Sequence, residues 1–255
     1  MVLRQYNLLF SHSSALALWA CFAQLVDLKI WNCDALVYWP EKVFQPLVSL
    51  RTLQVWYCKK LTGRTQEASE QSAPPERSGL LPRLESLLID ECASLVEVPN
   101  LPASLKALFI WNCRNLESIV FGQQEDTPSL IAGSSSETKA FTAVPKLSSP
   151  ANHSFIPCLE SLKISNCRGL AEVANLPPSI KTLKISGCGN LPSLSGQLDA
   201  LQTLVIDDCR GLKSLESCLG RLPSLEALHL YSCSSLQSLP NGPQAYPSVF
   251  DLALV

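Results

Sequence analysis

The sequence predicts a β-dominated α/β solenoid, in which short repeats stack side by side and each repeat adds one strand to a curved parallel sheet. Three observations lead to this fold class. A short apolar pattern recurs along most of the 255 residues, eight cysteines occupy the same position of that pattern, and prolines occur in several of the segments between. We expect the sheet to form the concave face, and short extended or 3-10 returns to form the convex face.

The repeat has the form L-x-x-L-x-I-x-x-C-x-x-L, where x is any residue. Eight units fit it, and their first residues are Leu25, Leu50, Leu84, Leu105, Leu159, Ile180, Leu201 and Leu225. A ninth unit begins at Val249 and is cut short at Val255. The x-L-x-I-x part alternates apolar and polar residues, which is typical of a strand with one buried face. Because one unit cannot cover its own apolar face, neighbouring units must stack.

The spacing of the units predicts the domain organisation. Residues 25–255 are expected to form one repeat domain, preceded by an incomplete repeat or cap at residues 1–24. Two intervals between units are too long, and the surplus lies at about residues 62–79 and 121–157, where Ser, Pro, Thr, Gln and Glu are frequent. Both are predicted to be surface loops with little core of their own. For the second loop, disorder is expected, and a degenerate repeat near residues 141–147 is the alternative.

Composition argues against several classes of partner. The chain is 47% hydrophobic and 16% charged with a formal net charge of -2, so no broad attraction to nucleic acid or to an anionic membrane is expected. The longest apolar run, Ala15 to Ala23, is about half of what a membrane-spanning helix needs. Within it, Leu16, Trp19 and Phe22 have the spacing of a helix face. This spacing favours the convex part of an incomplete repeat over a signal peptide.

The cysteines raise the main chemical question. Eight of the eleven occupy the ninth position of the repeat, where the strand ends and the chain turns inward. A thiol is small and a weak donor, so it can pack there beside backbone carbonyls. Strand spacing alone permits disulfides between neighbours, but side chains in one column point in parallel, whereas a disulfide needs converging ones. We therefore expect free thiols, and no zinc site, since no C-x-x-C pair occurs.

The usual motifs of catalysis and nucleotide binding are missing. The sequence contains no G-x-x-x-x-G-K-[ST], G-x-G-x-x-G, G-x-S-x-G or H-E-x-x-H. There are only three histidines, and the adjacent Asp207 and Asp208 would diverge on a strand and not converge on a substrate. We expect a binding module without cofactor or metal. An enzyme is the weaker alternative, and it would require turnover that a single polar substitution abolishes.

The open positions of the predicted strands form a candidate binding surface. Its N-terminal half is aromatic, with three of the five tryptophans in one column, and its C-terminal half is polar. Exposed aromatic clusters typically mark protein interfaces; the alternative is that the curved sheet or the two loops cover these rings. The candidate protein-binding residues are Lys29, Trp31, Trp56, Tyr57, Asp90, Phe109, Trp111, Lys163, Lys184, Asp207, His229 and Tyr231.

The extended pattern L-x-x-L-x-I-x-x-C-x-x-L-x-x-L-P, at residues 225–240 and nearly at 84–99, resembles a known family. It is similar to the leucine-rich repeats of plant intracellular nucleotide-binding receptors, the disease-resistance proteins. Leu-Lys-Ile-Trp-Asn-Cys at residues 28–33 and Leu-Phe-Ile-Trp-Asn-Cys at 108–113 look especially like the cereal members with an N-terminal coiled coil. The resemblance covers nearly the whole chain apart from the two loops. It implies a cytoplasmic recognition module that senses pathogen effectors or docks on the receptor's own nucleotide-binding domain.

The resemblance has limits. These 255 residues include neither a nucleotide-binding domain nor a coiled coil, so the chain looks like a fragment or a truncated product, and ATP hydrolysis is not implied. The F-box adaptors of ubiquitin ligases are the alternative family, because their repeats also carry a ninth-position cysteine. In those repeats an Ile-Thr pair usually follows the cysteine, whereas varied pairs follow it here. A secreted receptor ectodomain fits less well, since its repeats usually carry an asparagine ladder.

Overall fold

The computed structural model describes residues 1–5, 10, 15–63, 80–98, 101–122, 156–215, 222–237 and 248–254. The loops predicted at about 62–79 and 121–157 lie almost entirely outside these residues, as does the alternative repeat near 141–147. The predicted domain boundaries therefore stay predictions.

Short strands dominate the described residues. The strands are β1 (Val2–Arg4), β2 (Asp27–Trp31), β3 (Thr52–Trp56), β4 (Ser86–Asp90), β5 (Ala107–Trp111), β6 (Ser118–Val120), β7 (Ser161–Ser165), β8 (Glu172–Leu176), β9 (Thr182–Ser186), β10 (Leu194–Gly196), β11 (Thr203–Asp207), β12 (Ala227–Tyr231) and β13 (Asp251–Leu254). The helices are α1 (Ala15–Ala20) and α2 (Glu41–Phe44). Within this described part, neither helix has the length and apolar character needed to cross a membrane.

Ten of these strands form one parallel sheet in the order β1-β2-β3-β4-β5-β7-β9-β11-β12-β13. Pairing joins equivalent positions of successive repeats, so that Leu28 lies opposite Leu53 and Ile30 opposite Val55. The same register holds at the far end, where Leu204 lies opposite Leu228. The predicted parallel solenoid is confirmed.

The core follows from alternation within each strand. The second and third apolar positions of the repeat point inward, and in β3 both Leu53 and Val55 are fully buried. The leucine three residues after each cysteine also packs inward, as Leu61 does in the same repeat. Burial of each such side chain stabilises the folded state by roughly 1.5–3 kcal/mol. Because every repeat contributes equivalent side chains, one continuous core runs along the stack.

The returns are short and partly extended, as predicted. Each begins with a hydrogen-bonded turn, such as the one in which the backbone N–H of Leu36 donates to the carbonyl of Cys33 at 3.1 Å. Three returns pair with one another as a second parallel sheet, in the order β10-β8-β6. The repeat pattern did not predict this sheet, because only the inward-facing Ile119, Val173 and Leu194 mark it in the sequence.

The two ends of the stack differ. At the N-terminal end, β1 pairs with β2 so that Leu3 lies opposite Ile30, and the predicted helical segment is present as α1, with Trp19 fully buried. At the other end, β13 pairs with β12, but Leu252 and Leu254 stay more than half exposed. No strand of the described chain packs beyond β13.

Candidate binding surface

Three columns of side chains cover the open face of the ten-stranded sheet, which is the face predicted to be concave. The column at the start of the strands contains Asp27, Thr52, Ser86, Ala107, Ser161, Thr182, Thr203, Ala227 and Asp251. The first concave column lies between the two buried positions of each strand, and it contains Lys29, Gln54, Leu88, Phe109, Lys163, Lys184, Val205 and His229. The second concave column directly follows the second buried position of each strand. It contains Trp31, Trp56, Asp90, Trp111, Ser165, Ser186, Asp207 and Tyr231. The structure therefore places every predicted site residue on this face except Tyr57, which directly follows β3.

Trp31, Trp56 and Tyr57 form one aromatic cluster in the N-terminal half of this face. The ring of Trp31 lies 5.0 Å from that of Trp56 in an edge-to-face arrangement and 4.9 Å from that of Tyr57, measured between centroids. Arg4 lies over Trp31, with its Cζ 5.6 Å from the ring centroid, and Lys29 lies over Trp56, with its Nζ at 5.7 Å. The three residues are only partly exposed, because their rings cover one another.

A second aromatic group lies two strands further along. Phe109 and Trp111 are 6.2 Å apart between ring centroids, and the Nζ of Lys163 lies 5.2 Å from the Phe109 ring. Leu88, in the first concave column, is only 8% exposed. Its neighbours in register are Gln54 and Phe109, whose longer side chains stand on either side of it. Side chains of the open face therefore shield this apolar residue of the same face from solvent.

The C-terminal half of the face is polar, as predicted. Lys163 and Lys184 are neighbours in register on β7 and β9. Beside them, the hydroxyls of Ser165 and Ser186 form a hydrogen bond of 2.9 Å, and Asp207 follows on β11. These short and charged side chains leave no aromatic ring between Lys163 and Asp207 along the two concave columns.

His229 is partly buried near the C-terminal end of this face. Its ring lies 5.9 Å from the Tyr231 ring, and its Nε2 lies 2.9 Å from Asp251 Oδ2, an ion pair whenever the imidazole is protonated. The other two histidines, His12 and His153, lie outside the described residues. Among the residues described, no three His, Cys, Asp or Glu side chains are grouped so that they could hold a metal ion.

The residue after each second-column position has a left-handed backbone, a feature that the sequence reasoning missed. Positive φ angles between 48° and 63° occur there in every repeat that the structure describes, at Gln5, Asn32, Tyr57, Glu91, Asn112, Asn166, Gly187, Asp208 and Ser232. Asn, Asp and Gly tolerate this conformation best, and they occupy five of these positions in the sequence. Their amides also form a short ladder: Asn112 Nδ2 donates to Asp90 Oδ1 at 2.8 Å, and Asn166 Nδ2 donates to Asn112 Oδ1 at 3.1 Å.

The ninth-position cysteines lie at the strand ends beside backbone carbonyls, as predicted, and all of them are buried except Cys233, which is partly buried. Each thiol donates to the carbonyl two residues earlier, from Cys113 to Trp111 at 3.3 Å and from Cys188 to Ser186 at 3.5 Å, for example. All ten cysteines in the described part of the chain are free thiols. Burial disfavours the thiolate and raises the pKa of Cys188 from 9.0 to about 12. These thiols are packing groups and poor nucleophiles.

A row of charges borders the sheet at the start of the strands, and we call it the rim row. It consists of Arg51, Glu85, Lys106, Glu160 and Lys181. Its charges pair internally, with nitrogen-to-oxygen distances of 2.8 Å for Arg51–Glu85, 3.6 Å for Lys106–Glu85 and 3.3 Å for Lys181–Glu160. Because these pairs are exposed, each contributes little to stability.

A solved structure shares this fold. It is the leucine-rich-repeat domain of the type III effector XopL, with a TM-score of 0.64 and 22% sequence identity over 99% of this chain and 75% of that chain. The sequence itself matches no protein-family model and no curated protein. The likeness shows a leucine-rich-repeat solenoid, a fold that typically serves as a protein-interaction module without catalytic activity.

Proposed function

We propose that this chain is the protein-recognition module of a plant intracellular immune receptor of the coiled-coil class, acting in the cytoplasm. Its partners would be a pathogen effector, the receptor's own nucleotide-binding domain, or both. The observation that carries the binding role is the contrast between the inward side chains, which are equivalent in every repeat, and the varied aromatic and charged side chains on the concave face. Solenoids typically bind through such a face.

The assignment to plant immune receptors is supported by the sequence alone. The phrases at residues 28–33 and 108–113 carry it, since each combines the apolar positions with Trp-Asn-Cys. The structure gives these residues separate roles: Trp31 belongs to the aromatic cluster, Asn32 has a positive φ and Cys33 is buried. The Trp-Asn-Cys segment thus combines a residue of the concave face, a residue of the turn and a residue of the core.

The genomic sequence directly upstream of Met1 tests the receptor assignment. A phosphate loop followed by the rest of a nucleotide-binding domain in the same transcript is the expected result. An F-box helical segment in that place would overturn the assignment in favour of a ubiquitin-ligase adaptor.

A binding experiment tests the docking role. The nucleotide-binding domain found upstream is expressed separately and mixed with this chain. We expect a complex that is lost when Trp31, Trp56 and Trp111 are all changed to alanine, while circular dichroism shows that the variant stays folded. A complex that survives this triple substitution unchanged would contradict docking through the concave face.

A further inference from the structure

The cations of the concave face differ from those of the rim row. Arg4, Lys29, Lys163 and Lys184 have no carboxylate of the described chain within ion-pair distance. Every cation of the rim row has a glutamate partner. These four cations are therefore free of ion pairs with the described chain, on the surface that we propose as the binding site, and on that proposal this inference rests.

Aromatic rings hold three of these cations in place. Arg4 lies over Trp31, Lys29 over Trp56, and Lys163 over Phe109. A ring face attracts a cation without neutralising its charge. The stem of each side chain therefore lies against the ring, while its charge stays available to an anion on the solvent side. Because the rings and stems are already packed, little conformational entropy would be lost on binding.

Carboxylates also lie on this face, but none in the described chain forms an ion pair with these four cations. Asp27 lies two residues before Lys29 on β2, and Asp251 pairs with His229. Asp90 accepts a hydrogen bond from the Asn112 amide, and Asp207 lies on β11, beyond the strands that carry Lys163 and Lys184. Asp90 and Asp207 belong to the second concave column, whereas the three lysines belong to the first. The first column therefore has a cation at β2 and two more at β7 and β9, with no anion between them.

The distance between these cations sets the size of the ligand. Lys29 and Lys163 are separated by four strand spacings of about 4.8 Å, or about 19 Å. Between them the first column carries Gln54, Leu88 and Phe109, and the Trp56 ring lies beside Lys29. An extended peptide rises about 3.3 Å per residue, so about six residues span this distance.

We infer that the concave face binds an extended acidic segment of a partner protein, with carboxylates about six residues apart and apolar or aromatic side chains between them. The carboxylates pair with Lys29 at one end and with Lys163 and Lys184 at the other. The intervening side chains pack on Trp56 and Phe109. The face thereby selects for charge at both ends and for apolar contact in the middle.

Synthetic peptides test this inference on the full chain. The probe has two glutamates, a Leu-Tyr-Val-Tyr-Leu core and two more glutamates. One matched peptide replaces the glutamates with lysines, and another replaces the core with Gly-Ser-Gly-Ser-Gly. Binding is measured by isothermal titration calorimetry at low and at physiological salt. We expect the first peptide to bind most tightly, at least about tenfold tighter than either matched peptide, and to weaken as salt rises.

Charge variants locate the binding site. Lys29→Gln and Lys163→Gln should each weaken the first peptide about threefold to tenfold, whereas Lys42→Gln, an exposed lysine on α2, should leave it unchanged. Equal binding of the lysine-flanked peptide, or no binding of the acidic one, would overturn the inference. Equal binding of the glycine-serine peptide would do so too, because it would indicate attraction to any polyanion.

The failure of this inference is distinguishable from that of the proposed function. If the triple tryptophan variant loses its protein partner while Lys29→Gln and Lys163→Gln keep it, protein recognition stands and the acidic class of partner is wrong. If all of these variants keep the partner, the concave face is not the binding surface and both proposals fail.

Discussion

The two faces of the ten-stranded sheet differ in how much their residue types vary from strand to strand. The inward face is uniform: in repeat after repeat it carries leucine, isoleucine or valine at the same two positions, nearly all of them fully buried. The concave face varies from strand to strand, from Trp56 to Asp90 to Trp111 across neighbouring positions. Packing energy depends on the first set, and under the proposed function recognition depends on the second, so stability and binding should respond to different substitutions.

Removing a core leucine should have the largest effect on stability. Leu108→Ala deletes a fully buried side chain between two stacked repeats, and it should lower the free energy of unfolding by about 2–5 kcal/mol. Urea denaturation measures this loss. The control Lys213→Ala removes an exposed side chain and should change stability by at most about 0.5 kcal/mol. Similar losses in both variants would contradict a shared, tightly packed core.

The left-handed turn positions should give the next largest effect. Gly187 has a φ of +63°, and a Cβ added there would lie 2.5 Å from Asn166 Oδ1. Gly187→Ala should therefore cost about 1–2 kcal/mol. Gly189 is the matched control, because a Cβ at that position meets nothing within 4 Å. If Gly189→Ala were as destabilising as Gly187→Ala, the strained turn would not be the cause.

Thiol chemistry should separate the cysteine column from the exposed cysteines. Cys21 and Cys158 are exposed, whereas Cys113 and Cys188 are buried at strand ends. Iodoacetamide at pH 8 should modify the exposed pair at least about a hundredfold faster, because burial hinders access and disfavours the thiolate. Peptide mapping by mass spectrometry measures the rates. Equal rates in the native protein would show that the column is open to solvent.

The same burial predicts a loss of stability in alkali. The folded-state pKa of Cys188 is raised from 9.0 to about 12, so between these values the folded chain holds a proton that the unfolded chain has lost. Stability from this group is fully present below pH 9 and falls as the pH rises towards 12. The drop in melting temperature from pH 8 to pH 10.5 should be smaller in Cys188→Ala than in the unsubstituted chain. An unchanged drop would show that ionisation of the Cys188 thiol does not contribute to the loss of stability in alkali.

The smallest effect is expected at Glu91. Its φ is +56°, a conformation that asparagine adopts more readily. Glu91→Asn should raise the free energy of unfolding by about 0.5 kcal/mol, measured by urea denaturation. Glu117→Asn, at an exposed position without a positive φ, should bring no gain. Stabilisation by both substitutions would point to net charge and not to the backbone.

The inward face could be predicted from the sequence because burial in a stack depends on a pattern that every repeat shares. Leu53 and Val55 follow from alternation alone. The concave face could not be predicted in the same way. Whether Trp31 is exposed depends on the rings of Trp56 and Tyr57 beside it, and the burial of Leu88 depends on its neighbours on two other strands. These are contacts between strands, and no spacing within one repeat records them.

The left-handed turn is a different case, since its signal was present in the sequence. Asn32, Asn112, Asn166, Gly187 and Asp208 all occupy the position before the cysteine. The second sheet on the return side has a weaker signal, because the three returns that form it differ in sequence around Ile119, Val173 and Leu194.

Site-specific photo-cross-linking tests the central claim, that the concave face is the binding surface, most directly. Benzoylphenylalanine replaces Phe109 in the first concave column or, as the control, Phe250, which is 79% exposed beside the last strand. After irradiation in living cells that express the protein, we predict a protein adduct from position 109 that disappears when Trp56→Ala is added, and none from position 250. Adducts from position 250 with none from 109 would contradict the claim.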